Sequence, residues 1–298
     1  MVVAATGFFD GVHLGHRKVL RSLCETASRE GKKSCVISFW PHPRSVLQQQ
    51  AYDLRLLNSL DEKKSLIKAI GVDDFIAIPF TKEFSRLTTK EFLLEYLISK
   101  YGVSTLVIGY DHRLGSNVSE PQSAMISTAH ELGLNIVRVE EFLVDNNIIS
   151  STKIRKMLQQ TDVYDAARYL GYNYTLRGAV VSGNRLGRTM GFPTANMQLY
   201  DPLKVVPGDG VYGVYVTVLG RRYMGITNIG VRPTVAAHGE RTIETNILGF
   251  DEDIYGLDIT VEFVFKIRDE IKFASVNELQ SELERNKALA AEKLEAGL

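Results

Sequence analysis

The hydrophobic period changes part-way along the chain, and this change restricts the fold more than any single motif. In the first half, short apolar, largely β-branched runs at 2–6, 34–39, 74–78, 105–108 and 135–139 alternate with helical stretches at 14–29, 59–71, 88–101 and 123–132. Ser59-Leu60-Asp61-Glu62 and Thr88-Thr89-Lys90-Glu91 are capping boxes that open two of those helices. Such alternation predicts a parallel sheet covered by helices. Two short helices follow, at 152–158 and 163–170, the second ending at Gly171. From Tyr174 onward, runs at 176–181, 211–219, 223–227, 242–248 and 259–267, separated by turns, predict an antiparallel barrel or sandwich. A last helix over 275–294 offers Val276, Leu279, Leu283 and Ala290 for packing. The expected plan is a parallel α/β domain over 1–158 and an antiparallel β domain with a C-terminal helix over 159–298.

At 298 residues the chain exceeds what one hydrophobic core usually supports, which agrees with two domains. Its 35 basic and 35 acidic residues cancel, so no general basic field draws in nucleic acid. Binding has to come from local sites. No apolar run approaches a bilayer span, and residue 2 already enters a strand without a charged leader, so no membrane partner is expected. Cys24 and Cys35 fit no metal spacing and read as reduced thiols of a cytoplasmic protein. No obligatory protein partner is inferred.

The junction between the first strand and the first helix reads Gly7-Phe8-Phe9-Asp10-Gly11-Val12-His13-Leu14-Gly15-His16. Free amides and the helix dipole favour an anion there. Gly11 and Gly15 remove side chains where a phosphate chain would approach the backbone. His13 and His16 can donate hydrogen bonds to that chain and offset charge on a leaving group. The same residues also fit a tight turn with two exposed histidines. Residues 109–115 end the fourth strand, so both segments fall beyond the carboxyl ends of parallel strands, where such sheets bind ligands. Ser150-Ser151-Thr152 leads into a helix carrying Lys153 and Arg155. Its hydroxyls and amides can hold phosphate oxygens that Arg155 grips; a capped surface helix with two solvated cations is the alternative.

In the second half Gly183, Gly187 and Gly191 recur every fourth residue around Arg185 and Arg188, as in a flap whose amides wrap phosphates or in a plain glycine-rich hairpin. Gly208-Asp209-Gly210-Val211-Tyr212-Gly213 matches G-x-G-x-x-G, but Pro207 precedes it and a strand follows, so it is read as a chance match.

Together these segments resemble the H-x-G-H nucleotidyltransferases. The longer G-x-F-D-G-x-H-x-G-H form is similar to the adenylyltransferase half of the bifunctional bacterial riboflavin kinase/FAD synthetase family. The resemblance continues through Pro41-His42-Pro43-Arg44, a rigid loop after the second strand, Gly109-Tyr110-Asp111, residues 149–155 and Gly191-Phe192-Pro193-Thr194-Ala195-Asn196, in the family's order. It implies a Rossmann-like first domain and a riboflavin-kinase-like barrel, with ATP, riboflavin and FMN as substrates and Mg²⁺ as cofactor. In the first domain it implies that the FMN phosphate attacks the α-phosphorus of ATP, aided by His13, His16 and Arg155. Gly7, Phe8, Asp10, Gly11, Gly15, Ser150, Ser151 and Thr152 would surround the ATP, and Asp111 would lie near the flavin. In the second domain it implies phosphate binding by Gly183, Gly187, Arg188, Gly191 and Asn196. Thr194 and Asn196 would hold Mg²⁺, Glu244 would be the base for the ribityl 5′-hydroxyl, and Arg268 and Glu270 would border the flavin. The chain departs from the family pattern at Leu114 and Val118, where phenylalanine and arginine are usual, and at Asn246 and Gly249, where histidine and aspartate are common. The alternatives are therefore a riboflavin kinase with a weakened adenylyltransferase domain, and a flavin- or nucleotide-binding regulator without turnover.

Overall fold

Apolar and β-branched residues build a parallel five-stranded sheet from β1 (Val2–Thr6), β2 (Lys33–Trp40), β3 (Asp74–Pro79), β4 (Val103–Gly109) and β5 (Asn135–Val139), in the order β3-β2-β1-β4-β5. The computed structural model describes residues 1–47, 53–116, 120–183, 191–231 and 241–297. Contacts divide the chain into two compact units, Met1–Ser151 and Thr152–Leu298.

Helices cover both faces of the sheet, as strands buried on both sides require. Helix α1 (Leu14–Arg29) buries Leu20, Leu23 and Ala27 against Val3, Ala5 and Val36. A short α2 (Pro43–Leu47) stands where the sequence suggested only a rigid loop; a proline at its first helical position starts it without losing a needed amide. Helix α3 (Leu60–Ala69) begins at the expected capping box, in which Ser59 and Glu62 satisfy each other's backbone amides. Helix α4 (Thr89–Glu91) has the second box and continues as a wide π-helical stretch over Phe92–Lys100. Phe92, Leu93 and Leu97 there join Ile37, Leu106, Leu114 and Met125 in the opposite core. Helix α5 (Gln122–Glu131) follows, and the hairpin of β6 (Leu143–Val144) and β7 (Asn147–Ile148) was not expected from sequence. The strand order reverses between β1 and β4, so the crevice at their carboxyl ends receives residues 7–13 and 110–116.

Helices α6 (Ser151–Gln159) and α7 (Val163–Leu170) precede the second unit's closed barrel. Its strands are β8 (Thr175–Val181), β9 (Ala195–Leu199), β10 (Gly210–Val218), β11 (Arg221–Val231), β12 (Arg241–Ile247) and β13 (Asp258–Arg268), ordered β10-β11-β12-β9-β8-β13. All neighbouring strands are antiparallel. The interior alternates as a barrel wall should, with Ile243, Thr245 and Ile247 buried and Thr242, Glu244 and Asn246 half-buried between them. Gly208–Gly213 lies in the turn and start of β10, as expected for a chance motif. Helix α8 (Val276–Glu295) packs Ala290 and Leu294 on Val211, Val264 and Phe265. Val276, expected to pack, is exposed: it is the first residue of a helix whose buried residues, Asn286, Ala290 and Leu294, all lie in its second half. Cys24 and Cys35 are free thiols. Among the described residues no helix is long and apolar enough to cross a membrane.

Candidate active sites

The turn after β1 is held in an unusual shape. Phe9 (φ 54°) and Val12 (φ 37°) both occupy the left-handed region. That conformation costs about 1–3 kcal/mol for a side chain such as valine. It persists because both side chains are buried beside Val3, Ala5 and Leu20. Asp10 sits between them with its carboxylate inside the protein, accepting hydrogen bonds from the amides of Leu57 (2.9 Å) and Asn58 (3.3 Å). Its backbone carbonyl accepts the Ser151 hydroxyl at 2.9 Å. Asp10 thus fastens the turn to two other segments.

His13 is the N-cap of α1, and its Nδ1 accepts from the His16 amide at 3.3 Å. A neutral imidazole that accepts at Nδ1 carries its proton on Nε2. The two rings stack with centroids 3.6 Å apart, and the Phe9 ring stands edge-on to His16 at 5.2 Å. Burial pushes His13 down to about 4. His16 is also held well below the ordinary imidazole value, first by burial and then by the positive potential of His13 and Lys63. At neutral pH this pair offers N–H donors and no charge. Gly15 suits this geometry: a Cβ there would stand 3.3 Å from the His13 ring, close enough that the ring would have to give way slightly. Gly7 similarly faces the Phe9 ring, and Gly11 (φ 83°) completes the turn.

Phe8 lies between Trp40 and His42, with centroids at 6.2 and 4.2 Å. Beneath it is a residue that no motif indicated. Lys63 of α3 is completely buried, with Nζ 3.3 Å from the centre of the Phe8 ring and 5.6 Å from that of Trp40. Its ammonium has no hydrogen-bond partner, and burial pulls it down to about 8. The one available signal was its position four residues before Ile67 on an otherwise apolar helix face.

On the β4 side, Asp111 is exposed, while His112 reaches back to bond Thr6 Oγ1 through Nε2 at 3.0 Å. Burial holds His112 down at about 4. The Gln122 amide donates to the carbonyls of Gly109 and His112, which fixes this turn over the sheet. Leu114 is buried in the core. Val118 lies outside the described residues. Ser150 is exposed, Thr152 accepts the Arg155 guanidinium at 3.1 Å, and Lys153 points its Nζ at the Tyr169 hydroxyl.

In the second unit, strand pairing brings Asn196 opposite Glu244, and Glu244 opposite Asn228. Three polar side chains therefore form a row across β9, β12 and β11. Thr194 Oγ1 is 3.4 Å from Glu244 Oε2. Asn246, a departure from the family pattern, donates to the Pro193 carbonyl at 2.7 Å and so braces the same turn. A Cβ on Gly183 would overlap the Asn196 amide, so this glycine lets Asn196 lie against the backbone. Gly191 ends the segment in a left-handed conformation, and Gly187 and Arg188 lie outside the described residues. Glu270 accepts from Asn228 Nδ2 at 3.2 Å and extends the polar row. Arg268 pairs with Glu282 at 3.2 Å and lies over Phe273 at 5.6 Å. Phe273 and Glu282, with Lys272, Asn277 and Arg285, border an open cavity of about 470 Å³.

Family models meet both sites. The FAD synthetase model matches residues 1–153, and the riboflavin kinase model matches residues 170–294. The bifunctional riboflavin kinase/FMN adenylyltransferase of Bacillus subtilis (strain 168) is 35% identical over 96% of this chain and 90% of its own length. This chain belongs to the bifunctional riboflavin kinase/FMN adenylyltransferase family. The Listeria monocytogenes relative of the same name is 33% identical over 95% of the chain and 90% of its own length. A crystal structure from Streptococcus pneumoniae, titled a macrolide-efflux protein, superposes with a TM-score of 0.91 at 30% identity, covering 97% of this chain and 93% of that one. Membership of this family agrees with the parallel α/β unit, the closed barrel and the C-terminal helix.

Proposed function

We propose that the chain makes FMN from riboflavin and then FAD from FMN, using ATP in both steps. Residues 1–158 are assigned to adenylyl transfer and 159–298 to phosphorylation. The observation that carries this reading is the presence of two polar constellations of different design, one in each family-matched segment. His13 and His16 stack beyond β1 at the reversal of strand order, and Thr194, Asn196 and Glu244 meet on the barrel wall.

In the first unit an oxygen of the FMN phosphate attacks the α-phosphorus of ATP, and the bond to the bridging oxygen breaks to release pyrophosphate. The nucleophile is already ionised, so no base is needed; positioning and hydrogen-bond donors supply the rate. Neutral His13 and His16 suit this role, with the His13 proton on Nε2 because Nδ1 accepts from the His16 amide. Ser150, Ser151, Thr152 and Arg155 are assigned to the triphosphate, and Asp111 to the flavin side. In the barrel the riboflavin 5′-hydroxyl attacks the γ-phosphorus, Glu244 takes its proton, and ADP leaves. Thr194 and Asn196 offer hard oxygens beside the Glu244 carboxylate, a donor set that fits Mg²⁺. Bound there, that ion would neutralise phosphate charge. The row through Asn228 to Glu270, with Arg268 and the cavity beside Phe273, is assigned to the flavin. The substrates are small molecules, and the proposed compartment is the cytoplasm.

Purified protein given riboflavin, ATP and Mg²⁺ is expected to form FMN and then FAD, separated by chromatography. Glu244→Gln should lower FMN formation by a factor of about a hundred or more while FAD still forms from supplied FMN. His16→Ala should do the reverse. Equal loss of both activities in either variant would overturn the division of labour.

A further inference from the structure

Between Phe8 and α3 the amino-terminal unit keeps a charge that has no counterpart in the motifs. We infer that Lys63 is a positioning residue of the nucleotide site: its buried ammonium draws the phosphates of ATP onto the Gly7–His16 turn through space, with the Phe8 ring between. This inference rests on the adenylyl-transfer reading of that unit.

Lys63 is fully buried, yet its Nζ has no hydrogen-bond acceptor. Its contacts are aromatic: the Phe8 face at 3.3 Å and Trp40 at 5.6 Å. Cation–π contacts offset only part of the cost of removing an ammonium from water. Asp10, in the same turn, offsets part of that cost through space, but its carboxylate is held by the Leu57 and Asn58 amides and takes no hydrogen bond from Nζ. A methionine of similar length would fill the same space with no desolvation cost, so packing does not account for a lysine here. The position does account for it. Phe8 belongs to the turn that ends in the stacked histidines, and the potential of Lys63 reaches His16. Those imidazoles supply hydrogen-bond donors without charge. A fixed cation in a region of low dielectric supplies attraction that salt screens poorly. Such a charge favours anionic ligands in proportion to their charge and leaves uncharged ones alone.

The test uses the whole protein and follows FAD formation from supplied FMN. Lys63→Met should raise the KM for ATP and the inhibition constant of pyrophosphate about tenfold. The inhibition constant of adenosine, which has no phosphate, should change less than about twofold, and Lys63→Arg should restore most of the affinity for ATP and pyrophosphate. Inhibition of the residual FAD formation by adenosine reports that the amino-terminal unit is folded, and riboflavin phosphorylation by the same sample reports the same for the barrel unit. Equal weakening of adenosine and pyrophosphate would make Lys63 a structural residue and overturn the inference; so would an unchanged KM for ATP. Lys63→Gln gives the same comparison if the methionine variant folds poorly. Absence of FAD formation by the unaltered protein would instead refute the adenylyl-transfer reading itself.

Discussion

The Lys63 ammonium gives the amino-terminal unit its own response to alkali. Its folded value lies near 8 against 10.5 in the unfolded chain, so between these limits the unfolded state holds more protons. Stability therefore rises with pH across that window, by up to about 3 kcal/mol from this group. Denaturant unfolding at pH 7.5 and 10 should show this gain in the unaltered protein and not in Lys63→Met, which is the more stable of the two at pH 7.5. His13 acts at the other end of the scale: folded near 4 and unfolded near 6.5, it takes its proton first in the unfolded state. Its contribution is complete above about pH 6.5 and is lost as pH falls towards 4. Gly183 offers a different test. Gly183→Ala should displace the Asn196 amide and lower riboflavin phosphorylation about tenfold or more, with FAD synthesis from FMN unchanged. At this scale the sequence points to candidates whose neighbours in the chain form a motif, and the structure brings His13 to His16, and Thr194 and Asn196 to Glu244. The sequence conceals those whose meaning comes from distant segments. Lys63 looks like Lys64 beside it, yet the first is buried under Phe8 and the second is exposed. Gly183 likewise looks like a flap glycine until Asn196 is placed against it.

Elements were legible where a local rule decides them. The box at Ser59 fixes the start of α3, and the run of buried residues in β4 needs no partner to be read as a central strand. Ser59→Ala should cost about 1 kcal/mol, measured by denaturant unfolding. Because α3 carries Lys63, the same variant should also raise the KM for ATP in FAD synthesis. Strand β9 escaped because its sequence, Ala-Asn-Met-Gln-Leu, has little β-branched character; it is a strand through pairing with β8 and β12. The β6–β7 hairpin is two residues deep on each side, too short for any period to appear. The wide turns of Phe92–Lys100 were read as an ordinary helix because Phe92, Leu93 and Leu97 face the core in either geometry.

For the molecule as a whole, composition and period gave two domains of different class, but neither the order β3-β2-β1-β4-β5 nor closure of the barrel follows from one sequence, since both depend on pairings between segments far apart. With separate cores, the two units are expected to melt in separate steps, and riboflavin with ADP should raise only one of them in calorimetry. Barrel closure has one more consequence. In the ring of six every strand has a neighbour on both sides, though β9 and β12 share only two residue pairs, whereas among the described residues the open sheet ends on β3 and β5, each paired on one side alone. Irreversible clumping on heating should therefore begin at the margins of the amino-terminal sheet, while the ring remains a poor template for another chain.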